Sequence, residues 1–310
     1  MSRNQAEPAP RSVVETCPAC KTQGADGARL VADHEYGLTF RARYARCTAC
    51  HSEYQSPMPA ADALASFYPP TYHSMTAGGL LQRMRHDVRL RRLHGLWPRR
   101  GVLLDYGCGA GAFLLHAAAR ASEMTLWGYE IAPTRTVERL ADGAITIIRG
   151  SVGDLLAELP PCGLITMNHV IEHLPDPVAV VGALAERLVP GGVLEGQTPA
   201  VGSLEHRVFG ERWSGYHAPR HTVVFSPQGL VTLCERAGLQ DVTTAGAFNP
   251  AGLALSLASV PHGGAPGVLP RHGWRWFGCL ALAVALAPAD LWVGPPAVLD
   301  FAARRPESAS

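Results

Sequence analysis

The sequence predicts an α/β protein, a doubly wound and largely parallel sheet with a small metal-binding module at its N-terminus. Three observations carry this expectation. From Val102 onward, short apolar strands alternate with helix-patterned segments, which is the signature of a parallel sheet. The first of these strands runs into alternating glycines, Gly107, Gly109 and Gly111, and then a helix begins. Ahead of the alternation, two Cys-x-x-Cys pairs bracket a short segment.

The chain has 310 residues, of which 47% are hydrophobic, and a formal net charge of +1. That suits one large domain with an attachment, and it excludes a disordered or nucleic-acid-coating chain. Residues 1–16 read as a flexible tail with no apolar run, so no secretory signal is expected. A cytoplasmic location follows, in which eight cysteines read as metal ligands or packing residues rather than disulfides.

Residues 17–56 form the metal module. Cys17-Pro-Ala-Cys20 and Cys47-Thr-Ala-Cys50 are separated by 26 residues in a strand-poor stretch. Each pair on a tight turn presents two thiolates, and two turns complete the tetrahedral sulfur cage that zinc favours. Four protein ligands leave no open position, so the expected zinc is structural. Cys108, Cys162, Cys234 and Cys279 stand alone and read as packing residues.

Residues 57–100 read as a linker and a basic helix. Pro57, Pro59, Pro69 and Pro70 surround a short helix at 60–67. A helix over 79–97 follows from Leu81, Met84 and Val88 at i, i+3 and i+7, and Pro98 and Gly101 end it. Seven arginines and one acid, Asp87, lie between Arg83 and Arg100. Such a run is usually a solvated face, and the other reading is contact with an anionic membrane or phosphate.

The core spans 101–247, with strands expected at 101–106, 125–130, 145–149, 164–168 and 193–198. Helices are expected at 111–121, 133–141, 177–188 and 227–237, and further strands at 241–247 and 297–303. An insert over 248–295 is Gly/Pro-rich to Pro270 and strongly apolar from Trp274 to Val293. It is too short and alanine-rich to read as a membrane span. It reads either as a lid on a pocket or as an interfacial helix, with Arg271, Trp274, Arg275 and Trp276 at its head. Residues 296–310 carry the final strand and tail.

The chemistry centres on Val102-Leu-Leu-Asp-Tyr-Gly-Cys-Gly-Ala-Gly111. Glycines let the chain turn sharply and let a ligand approach the backbone, and the following helix N-terminus favours a carboxylate. The spacing is G-x-G-x-G rather than the G-x-G-x-x-G of dinucleotide enzymes. Asp105, two residues before the first glycine, is placed to meet an ammonium group. Glu130 ends the next strand nineteen residues after Gly111, placed to accept both hydroxyls of a ribose. Asp154 follows the third strand, beside a stretch suited to border an adenine ring.

With these residues in view, the sequence resembles the seven-stranded class I S-adenosylmethionine-dependent methyltransferases, in their ubiquinone-methyltransferase-like branch. Met167-Asn-His-Val-Ile-Glu-His-Leu-Pro-Asp-Pro177 resembles that branch's fourth-strand motif. Leu188-Val-Pro-Gly-Gly-Val193 resembles its turn before the fifth strand, and Tyr216-His-Ala-Pro-Arg-His221 with Phe225-Ser226 its Pro-Arg-His segment. Cys162-Gly163 and Val189 depart from the pattern. The resemblance implies S-adenosylmethionine as cofactor, with Gly107, Gly109 and Gly111 around its methionine part. It implies Asp105 at the loop or amino group, Glu130 at the ribose, and Asn168 and His169 beside the sulfonium.

A hydroxyl acceptor needs a base, and histidine suits neutral pH. His169, His173, His217 and His221 are the candidates; His221 is the principal one, with His169 second. Arg220 pairs either with an anionic acceptor or with Glu172. The expected function is methyl transfer, most directly at oxygen, to a small or lipid-linked molecule, with no nucleic-acid partner and peripheral contact at the inner membrane face. An RNA methyltransferase and a catalytically silent cofactor-binding scaffold are the alternatives.

Overall fold

The computed structural model describes residues 16–68, 79–97, 101–120, 123–262 and 273–307. Most of the expected tail, Pro69, Pro70, Pro98 and Arg271 lie outside the described residues.

The N-terminal module is a sheet rather than a strand-poor loop. Strands β1 (Ala25–Ala32), β2 (Arg41–Cys47) and β3 (Glu53–Gln55) pair antiparallel. In β2 exposed arginines at 41, 43 and 46 alternate with buried Ala42, Tyr44 and Ala45, a strand pattern that its small residues disguise. Helix α1 (Ala61–Ser66) follows, and then α2 (Leu80–Leu96). The spacing located α2 but not its packed face. Met84 and Val88 are 55% and 65% exposed, while Leu93 and Trp97 are buried with Leu90 and Leu96 beside them.

The large domain begins with β4 (Gly101–Tyr106), α3 (Ala112–Ala118) and β5 (Met124–Ile131). The helix expected at 133–141 is absent. Thr136–Leu140 forms strand β6, antiparallel to β7 (Ile145–Gly150). Asp142-Gly143, between them, is a short hairpin signal, and five residues bounded by it are too few for a stable helix. Helix α4 (Val152–Glu158), which periodicity did not reveal, is capped by Ser151. Strand β8 (Cys162–Asn168), helix α5 (Pro177–Ala185) and strand β9 (Leu188–Pro199) complete the central alternation. Gly163 departs from the family pattern where the Trp97 ring packs; a Cβ there would come within 2.4 Å of it.

Helix α6 (Leu204–Phe209), the two-residue strand β10 (Val223–Val224), helix α7 (Pro227–Arg236) and strand β11 (Gln240–Gly246) follow. The insert supplies α8 (Pro250–Ser259) and α9 (Gly273–Asp290), and β12 (Val298–Arg304) closes the fold. The large sheet runs β11-β12-β9-β8-β4-β5-β7-β6. Its centre is parallel, and β12 lies antiparallel between β11 and β9. The seven expected strands are present, and β6 adds an eighth at one edge. Strand β10 leaves the large domain and pairs with β3, so the N-terminal sheet has four strands, one of them lent by the core.

Helices α8 and α9 pack on each other through Leu253, Ala254, Ala283 and Ala287. Among the described residues no helix is long and apolar enough to cross a membrane. The loops that matter gather at the C-terminal ends of β4, β5, β8 and β9, where open α/β sheets bind ligands.

Candidate active site

The glycine loop has the shape its sequence demands. Gly107, Gly109 and Gly111 take φ values of 82°, 56° and 77°, a left-handed region that side chains disfavour. A Cβ on Gly107 would meet Val170 at 2.4 Å, and one on Gly111 would meet Ile147 at 2.8 Å. The loop is braced from both sides. Gly109 N–H donates to Glu130 Oε2 at 2.7 Å, and Arg149 Nη2 donates to Gly109 O at 3.1 Å. Burial raises the Glu130 carboxyl above its ordinary range, although the Gly109 N–H and Arg149 pull the other way. The Glu130 carboxylate thus lies at the strand tip against the glycine loop.

Asp105 is buried, and its Oδ1 accepts from Arg89 Nη2 at 2.6 Å. This ion pair ties β4 to Arg89 of α2. Arg89 also donates to Thr166 Oγ1 at 2.9 Å and lies over the Phe113 ring. Asn168 Nδ2 donates to the same Thr166 oxygen at 3.0 Å, at the end of β8. Asp154 caps α4, accepting from Ser151 N–H and Oγ–H, with Arg135 Nε 3.8 Å away. This capping box accounts for an acid at position 154 by itself.

Beside the end of β8 lies a cavity of about 350 Å³, lined by His169, His173, His217 and His221, by Tyr36 of the N-terminal module, and by Gly252 and Leu255 of α8. That volume suits a small-molecule site. Helix α8 of the insert is thus one wall of this cavity, and α9 backs α8.

The four histidines differ. His217 Nε2 accepts from Arg220 Nε at 2.9 Å, and its Nδ1 is 2.8 Å from Glu35 Oε1, so both ring nitrogens are engaged. That removes His217 as a base. Arg220 pairs with Asp33 rather than with Glu172. It is fully buried and grips Asp33 with both terminal nitrogens at 3.1 Å, and it also donates to Phe67 O. His221 is buried, and its Nδ1 donates to Gly215 O at 2.8 Å, which leaves Nε2 toward Glu172 Oε1 at 3.8 Å. Burial, with His173 and His217 nearby, pushes His221 well below its ordinary pKa, so it is neutral at pH 7. Burial likewise pushes His173 down to about 4. His169 moves the other way. Its ring is half exposed, and against the desolvation it does feel, Glu172 at 3.5 Å and Gln197 raise its pKa above the ordinary value. His169 also sits at φ 54°, held by its N–H to Gln197 O at 2.7 Å.

The N-terminal module holds this side of the site. Tyr44 Oη donates to His221 O at 2.5 Å, and Gln55 Nε2 donates to Pro219 O and His221 O at 2.7 and 2.8 Å. In the module itself all four cysteines are buried and unbridged, and the four sulfurs lie within 4.8 Å of one another. Cys17–Cys50 and Cys20–Cys47 are 3.7 and 3.5 Å apart. A tetrahedron built on Zn–S bonds of roughly 2.3 Å has edges of about 3.8 Å, so the cage fits zinc.

A family profile described as a methyltransferase domain matches residues 81–244, more than half of the chain. The chain belongs to this methyltransferase family. The cysteine module lies outside the matched residues. Among curated relatives, the ubiquinone biosynthesis O-methyltransferase of Xylella fastidiosa (strain 9a5c) is 35% identical over 35% of this chain and 46% of its own length. That of Idiomarina loihiensis is 29% identical over 48% of this chain and 65% of its own length. That of Paracidovorax citrulli is 32% identical over 53% of this chain and 75% of its own length. The chain thus spans about half to two thirds of the first two relatives. Haemonchus contortus phosphoethanolamine N-methyltransferase 2 shares the fold, with a TM-score of 0.51 and 15% identity over 80% of this chain and 62% of its own.

Within the methyltransferase fold, the sequence pointed to the glycine loop, Glu130, Asn168, His169 and His221, and the structure gathers them along one edge of the sheet. It did not single out Arg89, Arg149, Asp33 or Glu35. Arg89 was concealed in a run of arginines. Asp33 and Glu35 are 187 and 182 residues from their partners, and no local pattern reports such a pairing.

Proposed function

We propose that the chain is an S-adenosylmethionine-dependent methyltransferase acting on a small or lipid-linked acceptor, most directly at oxygen. One observation carries the reading: a braced glycine loop and a histidine-lined cleft lie at the same edge of one sheet. When bound, S-adenosylmethionine supplies an activated methyl carbon for in-line displacement. The chain's own part is positioning. Gly107, Gly109 and Gly111 make room for the methionine part, Glu130 takes the ribose, Asp154 lies toward the adenine side, and Asn168 and His169 border the sulfonium. His221, with His169, acts on the acceptor's hydroxyl as its proton leaves. Zinc in the four-cysteine cage is proposed as structural.

Two features support an apolar or lipid-linked acceptor over RNA. Arg89 and Arg92 of the basic helix turn inward, to Asp105 and to Glu195 and Asp300, rather than outward to phosphate. Helix α9 exposes Trp274, Phe277, Leu282, Val284 and Leu286, an apolar face suited to peripheral contact with a bilayer. The test is transfer of labelled methyl from the cofactor into cell extract that is then split into organic-soluble, aqueous small-molecule and RNA fractions. Label is expected in one of the first two, and His221→Asn is expected to lower it by about 10²–10⁴-fold. Label confined to RNA would support the RNA reading, and cofactor binding with no label anywhere would support the scaffold reading.

A further inference from the structure

We propose that the histidine-lined cavity takes an acceptor bearing a protonated amine, and that Glu205 is the residue that selects it. The inference rests on the methyl-transfer reading and narrows its acceptor class. Glu205 of α6 lines the cavity together with Trp213 and Asn249, and it is only 7% exposed.

The charges around the cavity are one-sided. Its lining includes the carboxyls of Glu35 and Glu205, and among the described residues that line it none is an arginine or a lysine. Glu35 is taken up by His217 at 2.8 Å. Burial holds His173 and His221 neutral at pH 7, and His169 is turned to Glu172. Glu205 has no cationic partner of this kind. Its side chain is met by Trp213, and among the described residues the charge that acts on it is another carboxyl, that of Asp290. Asp290 ends α9 and is itself buried; its Oδ1 accepts from Glu205 N–H at 3.4 Å and its Oδ2 from Ala297 N–H at 2.5 Å. Two carboxyls are thus brought together where α6 meets the end of α9.

This arrangement opposes folding. Burial and Asp290 push the Glu205 carboxyl up to about 8, so the empty site keeps a proton that an ordinary glutamate sheds. A glutamine would fill the same volume without that cost. A buried acid that weakens the fold and borders a cavity is placed for a ligand rather than for stability. An ammonium group supplies what the site lacks. Positive charge beside Glu205 favours its ionised form, and the carboxyl proton leaves to solvent. Trp213 adds an aromatic wall of the kind that cations favour. A phosphate or carboxylate acceptor would instead meet two carboxyls and no compensating arginine or lysine. Because His221 lines the same cavity, an acceptor held by its nitrogen at Glu205 presents a hydroxyl to the histidines.

The test reads binding, not turnover. Tyramine, para-hydroxyphenylacetate and tyrosol carry the same phenol on a cationic, an anionic and a neutral end. Each is titrated into the full chain near neutral pH and followed by ligand-observed NMR. Tyramine is expected to bind about tenfold or more tighter than the other two, as a charge-assisted hydrogen bond requires. Glu205→Gln, of the same size and shape, is expected to erase that preference, with thermal melting confirming that the variant is folded. No binding of tyramine, equal or tighter binding of the anion, or a preference that survives Glu205→Gln would overturn the proposal. The two readings fail separately. A tyramine preference that depends on Glu205, with no methyl label in any extract fraction, would remove methyl transfer alone. A labelled product that is an anion without an amine would remove the amine selectivity alone.

Discussion

Asp33 and Arg220 are almost fully buried, and they meet in a two-pronged ion pair across the boundary between module and core. The pair need not add net stability, but breaking it leaves a guanidinium buried without its counter-charge. Asp33→Ala is therefore expected to cost about 3–5 kcal/mol. Chemical denaturation of both proteins measures it, and a cost under about 1 kcal/mol would mean that Arg220 finds another partner. Glu205 gives a pH signature. Burial, with Asp290 adding repulsion, raises its carboxyl from 4.5 to about 8. The folded state then holds a proton that the unfolded chain has released, so stability falls as pH rises from about 4.5 toward 8. Glu205→Gln should flatten that fall and melt later than wild type at alkaline pH. Melting curves that stay parallel across the range would exclude this role. At this scale the sequence was informative where backbone chemistry is local, as at Gly107 and Gly111. It was uninformative for His217, whose character is set by Glu35 from another part of the chain.

Among the elements, the four-stranded N-terminal sheet has the largest consequence. Its edge is completed by Val223–Val224 of the core, and Tyr44 and Gln55 hold the loop that carries His221. A structural metal in such a module contributes directly to folding. Cys17→Ser combined with Cys47→Ser should remove one zinc per chain and lower the melting temperature, by elemental analysis and calorimetry. Protein purified without chelators and found free of zinc would contradict the cage. The strands of the central sheet were legible because buried parallel strands are continuous apolar runs. Strand β6 was not, since its five residues are mostly exposed and carry no periodicity, and only Asp142-Gly143 betrayed the hairpin. Helix α2 was found from an apolar stripe that faces solvent, because Leu90, Leu93 and Trp97 form a second stripe that packs instead.

At the scale of the whole molecule, the core supplies the glycine loop, the insert supplies one wall of the histidine-lined cavity, and the cysteine module braces the loop behind it. The order of motifs along the sequence made the first of these legible. The other two arise from contacts between segments far apart in sequence. Everything on the acceptor side presupposes that the cofactor is held at the C-terminal edge of the parallel strands. Calorimetric titration with S-adenosylmethionine tests that most directly. The wild-type chain should bind one equivalent, Glu130→Ala should lose about 1.5–3 kcal/mol of affinity as charge-assisted hydrogen bonds are removed, and Gly109→Val should abolish binding. No binding by the wild-type chain, or unchanged affinity in both variants, would contradict the assigned site.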